Sequence, residues 1–217
     1  MTEQTFTAMR RAMVESQLRT NDVSDIAVIE AILAEPRELY VPETRRSAAY
    51  IDRAVPLVEG RALNPPLATA RLIVEAVTRP GERVLLIGGA SGYAAALLAR
   101  LGCDVVAVEE SAPLVEMARA ALGERPGITL VTGPLVKGHA EGAPYDLLFV
   151  DGAVEELGEA LIAQLKAGGR AVFGRVERGV TRLCSGVKTE GGFGARAFSD
   201  SEAAVLPGFA KPKTFTF

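Results

Sequence analysis

The spacing of apolar positions changes along the chain, and the changes divide it into regions. Near the start, Phe6, Met9, Met13 and Leu18 recur at roughly helical intervals with polar residues between them, which predicts an amphipathic helix. Ser24 and Asp25 offer an N-cap before Ile26, Val28, Ile29, Ile32 and Leu33, a second amphipathic helix that Pro36 ends. The stretch through Tyr40, Pro42, Tyr50 and Pro56 is punctuated by proline and shows little regular periodicity. Pro65 and Pro66 then open a third helix over 67–77, because proline is well accommodated in a first helical turn.

From Arg83 onward, short apolar runs alternate with helical segments. Val84-Leu85-Leu86-Ile87 is a continuous apolar run ending in glycines, as expected of a strand buried on both faces. A helix over 94–101, a strand over 105–108, a helix over 112–122 and strands over 128–131 and 147–150 follow. Residues 155–165 read as a helix, and 171–173 as a strand after the Gly168-Gly169 turn. Strands alternating with helices predict βαβ units and a mostly parallel sheet. The tail breaks this rhythm: 180–187, 195–198 and 214–217 alternate like antiparallel or edge strands, interrupted by Gly191, Gly192 and Gly194. Phe209, Phe215 and Phe217 read as core-facing anchors. The expected organisation is one α/β domain over 1–217, with a helical extension over 1–80 and a Rossmann-type core over 81–217 that ends in antiparallel strands.

Bulk properties narrow the partners. A chain of 217 residues, 48% hydrophobic and 24% charged, can bury one full core. A net charge of −3 without any basic run gives no footprint for a phosphate backbone, so no nucleic-acid partner is expected. No apolar run is long enough to cross a bilayer, and the start lacks the apolar core of a secretory signal. The two cysteines, Cys103 and Cys184, have no C-x-x-C spacing; they read as structural thiols of a reducing compartment rather than a disulfide framework or zinc site. The expectation is a cytoplasmic chain with no membrane partner. His139 is the only histidine, so a histidine-based triad or metal site is poorly supplied, and in its polar loop it reads as exposed and idle.

The candidate chemistry centres on Gly88-Gly89-Ala90-Ser91-Gly92-Tyr93. A strand that ends in small residues and runs straight into a helix gathers backbone N–H groups and a helix N-terminus at one point, where a ligand can approach the main chain. Glu109 closes the next strand about twenty residues on, where a carboxylate can accept both hydroxyls of a ribose. The dinucleotide pattern G-x-G-x-x-G is not met, because its third and sixth positions are Ala90 and Tyr93.

Beyond the glycine turn, several segments resemble one family. Met13-Val14-Glu15-Ser16-Gln17-Leu18, Glu35-Pro36-Arg37-Glu38-Leu39-Tyr40-Val41-Pro42, Ala49-Tyr50-Ile51-Asp52, the first nucleotide motif from Val84 to Leu98, Ala143-Pro144-Tyr145-Asp146 and Gln164-Leu165-Lys166-Ala167-Gly168-Gly169-Arg170 are similar to motifs of the protein-L-isoaspartate O-methyltransferases. The resemblance extends over about residues 9–175. It implies a Rossmann-like S-adenosylmethionine-dependent methyltransferase fold, with a mostly parallel seven-stranded sheet, helices on both faces and an N-terminal helical extension on the substrate side. The implied donor is S-adenosylmethionine, with S-adenosylhomocysteine as product, and the implied acceptor is the side-chain carboxylate of an L-isoaspartyl residue in damaged protein or peptide. The implied cofactor residues are Gly88, Gly89, Ala90, Ser91, Gly92, Tyr93, Glu109, Leu135 and Asp151. Asn64 stands where the family has hydroxyls at the substrate carboxylate, and no metal is implied.

The chain departs from the family pattern at the site itself. Leu86 replaces an acidic residue and Ala90 a glycine; Gly133-Pro134-Leu135 replaces Gly-Asp-Gly; Ala62-Leu63-Asn64 replaces T-I-S; and Asp151 adds a carboxylate after the fourth core strand. Proline supplies neither a carboxylate acceptor nor a backbone donor. Asp151 could compensate for a lost acid or serve as a turn or N-cap residue before a helix at Glu155, and Asn64 could be a simple N-cap. Three functions stay open on these residues: isoaspartyl methyl transfer, methyl transfer to another acceptor, and a catalytically degenerate binding or regulatory module. An open cleft beside Gly88 and Glu109 would favour a working site, and one filled by Leu86, Pro134 or Leu135 a degenerate one.

Overall fold

A computed structural model describes residues 1–211. Helix α1 (Glu3–Met13) starts at Thr2, whose side chain caps Thr5 N–H, and continues through a wider turn in which Arg19 N–H donates to the Val14 carbonyl. Helix α2 (Ile26–Ala34) is capped by the Asp25 carboxylate, which accepts from Val28 N–H at 3.0 Å. The proline-punctuated stretch holds short helical turns and a hairpin of β1 (Val55–Pro56) and β2 (Ala62–Leu63). Helix α3 (Pro66–Ala76) follows. Then come β3 (Arg83–Ile87), α4 (Tyr93–Arg100), β4 (Asp104–Glu109), α5 (Ala112–Leu122), β5 (Ile128–Thr132), β6 (Tyr145–Val154), α6 (Glu159–Ala163), β7 (Leu165–Glu177), β8 (Val180–Thr189) and β9 (Gly192–Asp200).

Strands β3–β9 form a seven-stranded sheet in the order β5-β4-β3-β6-β7-β8-β9. Pairings from β5 to β7 are parallel, and β8 and β9 are added antiparallel. The chain runs outward from β3 through β4 to β5 and then returns to place β6 on the other side of β3. The gap between β3 and β6 is therefore the topological switch point, where open α/β sheets bind ligands beyond the strand ends. Alternation along β3 divides the interior: Val84 and Leu86 face the core built with the N-terminal helices, and Leu85 and Ile87 face the core that holds Leu161, Leu206 and Phe209. No helix among the described residues is long and apolar enough to cross a membrane.

Two expectations need correction. Residues 155–165 do not form one helix: β6 runs to Val154, Gly158 precedes the short α6, and Leu165 already belongs to β7. The acidic run at Glu155-Glu156 reads as a helix start, but β6 gains extra pairing beyond Phe149, with Ala153 opposite Gly174 of β7 and bridged to Val205 of the tail. His139 is half-buried rather than exposed, its backbone held between the Gln164 amide and the Tyr145 hydroxyl. Phe209 is buried as expected, whereas Phe215, Phe217 and the segment 214–217 lie outside the described residues.

Glu35 locks the extension onto the core. Its buried carboxylate, just past α2, accepts from the Tyr40 hydroxyl at 2.6 Å, from Arg100 of α4 at 2.5 Å and from Arg125 after α5 at 2.7 Å. Burial works to raise its pKa, but these hydrogen bonds outweigh it and hold the group below its ordinary value of 4.5. A lowered folded pKa gives stability that is complete above the ordinary value and lost as pH falls through the folded one. Glu35→Gln is expected to lower stability by about 2 kcal/mol near neutral pH. In urea unfolding at stepped pH, the gap between variant and wild type should shrink as the solution is acidified below 4.5.

Candidate functional site

The glycine turn leaves β3 through positive φ at Gly88 (+74°), Ala90 (+46°) and Gly92 (+98°). Gly88 and Gly89 both donate N–H to the Val108 carbonyl, which pins the turn against the end of β4. Ser91 is buried and gives its hydroxyl to the Tyr40 carbonyl at 2.5 Å. Tyr93, the first residue of α4, packs edge-on against Tyr40 with ring centroids 5.4 Å apart, and the Arg37 guanidinium lies 4.7 Å from its ring centre. Burial raises the Tyr93 phenol to about 12, so it is a neutral hydroxyl near neutral pH.

Glu109 ends β4 beside this turn and is 3% exposed. Oε2 accepts from Ala90 N–H at 3.0 Å; Oε1 accepts from Glu110 N–H at 2.9 Å, Ser111 N–H at 3.1 Å and Arg61 Nη1 at 2.5 Å. Three of these four donors crowd onto Oε1 and one meets Oε2, so both oxygens are paired while Oε2 keeps one acceptor site. Arg61 comes from the β1–β2 hairpin and is 8% exposed.

A second polar cluster lies on the other side of the switch point. The pairing of β6 with β7 is irregular between Phe149 and Ala153, and a bulge of this kind re-aims side chains. There Asp151 Oδ1 accepts from Thr69 Oγ1 at 2.8 Å and Asn64 Nδ2 at 3.1 Å. Burial raises the Asp151 pKa, against those two hydrogen bonds and the charges of Arg37 and Arg61. Arg37 is fully buried and donates to the Ala49 carbonyl at 2.7 Å and the Asn64 carbonyl at 2.5 Å. Neither Asn64 nor Asp151 is an N-cap: α3 has Pro65 at that position and its Leu67 N–H donates to the Asp52 carboxylate, while Asp151 lies inside β6.

The tail completes the site. Asn64 Oδ1 accepts from Ala204 N–H at 2.9 Å, Ala153 N–H donates to the Ala204 carbonyl at 2.7 Å, and Leu206 N–H donates to the Ala153 carbonyl at 2.9 Å. Leu206 lies against the turn so closely that a Cβ at Gly88 would fall 2.7 Å from its Cδ1, and one at Gly152 2.8 Å from its Cγ. The switch-point crevice is thus filled by Leu206 and flanked by Arg61. It is not filled by the residues suspected from the sequence: Leu86 is in the core under the sheet, Pro134 is exposed, and Leu135 is buried in the cluster that contains Leu206 and Phe209.

The structure brings Gly88, Gly89, Ala90, Ser91, Gly92, Tyr93 and Glu109 together at one end of the crevice and Asn64 with Asp151 at the other, with Leu135 turned into the core. Arg37, Arg61, Thr69 and Leu206 were not singled out from the sequence. Arg61 stands just before the divergent segment Ala62-Leu63-Asn64, and that neighbourhood is its only signal in the sequence.

Comparison with known proteins gives a consistent result. A family model described as Protein-L-isoaspartate(D-aspartate) O-methyltransferase (PCMT) matches residues 8–191. A protein-L-isoaspartate O-methyltransferase of Methylorubrum extorquens is 43% identical over 167 residues, covering 76% of this chain and 72% of that protein. One of Methanoculleus marisnigri is 39% identical over 184 residues, covering 84% of each. A solved protein-L-isoaspartate O-methyltransferase superposes with a TM-score of 0.79 at 26% identity, over 92% of this chain and 66% of that one. A Plasmodium falciparum structure of the same description, in complex with S-adenosyl-L-homocysteine, gives 0.76 at 19% identity over 89% of this chain and 96% of that one, a likeness of fold.

Two outcomes test the local geometry. Ala90 holds a left-handed conformation that glycine adopts freely, so Ala90→Gly should raise stability by about 1 kcal/mol, read as a higher denaturant midpoint. Asp151 has a raised folded pKa, so its contribution is complete below its ordinary value of 3.8 and is lost as pH rises through the folded value. Asp151→Asn keeps an acceptor for Thr69 and Asn64 and removes that loss. The stability of the variant relative to wild type should therefore improve with rising pH in parallel unfolding series, and a constant difference would contradict the assignment.

Proposed function

The chain belongs to the protein-L-isoaspartate(D-aspartate) O-methyltransferase family, and from that premise we propose that it transfers the methyl group of S-adenosylmethionine to the side-chain carboxylate of L-isoaspartyl residues in damaged proteins or peptides. The observation that carries this reading is the meeting of the glycine turn with Glu109 beside the switch-point crevice, inside a match that runs over residues 8–191. In this reading Glu109 and the turn form the donor side, and Asn64 with its neighbours the acceptor side.

The acceptor chemistry asks little of the protein. A carboxylate is ionised near neutral pH and is already a nucleophile, so neither a general base nor a histidine is required. The contribution of the chain is to align the acceptor and strip water from it, with Asn64 offering an amide to the carboxylate and Arg37 and Arg61 lowering the charge penalty around Asp151. The buried free thiols of Cys103 and Cys184 go with a cytoplasmic compartment.

In the arrangement described above, the residues do not fit the donor. Arg61 already occupies the Glu109 carboxylate, and Leu206 fills the crevice over Gly88 and Gly152. This filled crevice favours a second reading, a family member whose fold no longer carries the reaction.

Full-length protein incubated with methyl-labelled S-adenosylmethionine at millimolar concentration should place base-labile label on an isoaspartyl peptide and none on the matching aspartyl peptide. Label on neither peptide, with the protein at concentrations comparable to the peptide, would overturn the proposal in favour of the second reading. Asn64→Ala should reduce turnover at least tenfold, and unchanged turnover would remove Asn64 from the acceptor side.

A further inference from the structure

We propose that the tail segment 203–209, together with Arg61, is an autoinhibitory plug of the donor crevice, which S-adenosylmethionine can enter only by displacing it. The inference rests on the methyltransferase reading of the site and adds a closed state to it.

The segment is built into the crevice. It adds to the exit of β6 as a short parallel pairing, with Val205 opposite Ala153, and both of its flanking backbone hydrogen bonds go to Ala153. Asn64, bonded to Asp151 on the same side, also holds it through Ala204 N–H. Ala203, Leu206 and Phe209 are buried, while Val205 is 63% exposed, so one face of the segment is directed inward. Leu206 occupies the switch point itself, lying over the two positions, Gly88 and Gly152, that lack a side chain. Glycine at both positions gives a close approach to the main chain, and in this chain the group that makes it is the protein's own leucine.

Arg61 completes the mimicry. At Glu109 it supplies a donor from the N-terminal extension, at the carboxylate where the resemblance puts a ligand's hydroxyls. Its Nη2 has no hydrogen-bond partner among the described residues although it is buried. Arg61 is therefore held in the site by Glu109 with part of its donor capacity unmet. On the outer side, a recess of about 380 Å³ lined by Glu59, Arg61, Ser111, Leu206 and Pro207 gives an incoming ligand access to both parts of the plug.

The departures from the family pattern fit the same device. Leu135, in place of a glycine, is buried in the cluster that includes Leu206 and Phe209, and the following Val136 lies against Gly208. Pro134 removes an acid beside that apolar seat. Leu135 thus helps to build the apolar surface on which the tail rests.

The test is calorimetric titration of the full chain with S-adenosylhomocysteine, alongside Leu206→Ser and Arg61→Gln, with hydrogen exchange followed on the Ala153 and Leu206 amides. Either substitution should tighten binding at least tenfold. In wild type, saturation should release the protection of both amides, while the amide of Leu85 in β3 stays protected and reports an intact fold. Equal affinity in wild type and both variants, with the two amides still protected in the bound state, would overturn the plug and leave the methyltransferase reading standing. Fast exchange of the two amides in Leu206→Ser with no binding at all would overturn it differently. The walls of the crevice, not the plug, would then exclude the donor, and the methyltransferase reading would fall as well.

Discussion

A carboxylate removed from water at the end of β4 imposes a demand that organises the whole site. Unpaired, such a charge costs several kcal/mol, so Glu109 must be met by donors. Three are backbone N–H groups of the glycine turn and of the exit from β4, and these are fixed by the fold. The fourth is exchangeable in principle, because it comes from a side chain on a small hairpin outside the sheet. Whatever takes the place of Arg61 has to bring donors of its own.

The opposite wall is tied together by a single amide. Asn64 gives its N–H to Asp151 in β6 and takes the Ala204 N–H of the tail on its oxygen, while its own carbonyl accepts from Arg37. An amide has both a donor and an acceptor end, which a serine or threonine hydroxyl could imitate only with less reach. Through this one residue the N-terminal extension, the bulge in β6 and the tail are coupled. A displacement of the tail therefore frees the Asn64 side-chain oxygen, while the amide N–H to Asp151 stays in place.

The elements whose apolar pattern is local were legible in the sequence. The runs at Val84–Ile87 and 105–108, the helices α2, α3, α4 and α5, and the meeting of the glycine turn with Glu109 all follow from periodicity and turn chemistry. What escaped depends on partners distant in sequence. Asp151 reads as a turn residue until β7 and Val205 extend β6 past it, and the helix expected from Glu155 loses its start to that same extension. Arg61 stands in a stretch without regular periodicity, and only the fold brings it to Glu109, 48 positions away. Leu206, in a Pro- and Gly-bounded stretch of the tail, carries no periodic signal at all.

The resemblance and the departures from it then describe two aspects of one arrangement. A degenerate site would be expected to lose contacts independently, leaving small residues facing empty space. Here the changes are coordinated: Arg61 answers Glu109, Asn64 answers both Asp151 and Ala204, and Leu135 shares a core with Leu206 and Phe209. Packing and the hydrogen bonds of Asn64 and Glu109 agree on one closed structure, which points to a state specified by the sequence even though Arg61 Nη2 stays unpaired and Ala90 left-handed. The retained Glu109 points the same way, because a buried acid kept only to be neutralised by Arg61 contributes little that a well-packed apolar pair would not. Its retention is understood more simply if Arg61 is one of two occupants of the same carboxylate.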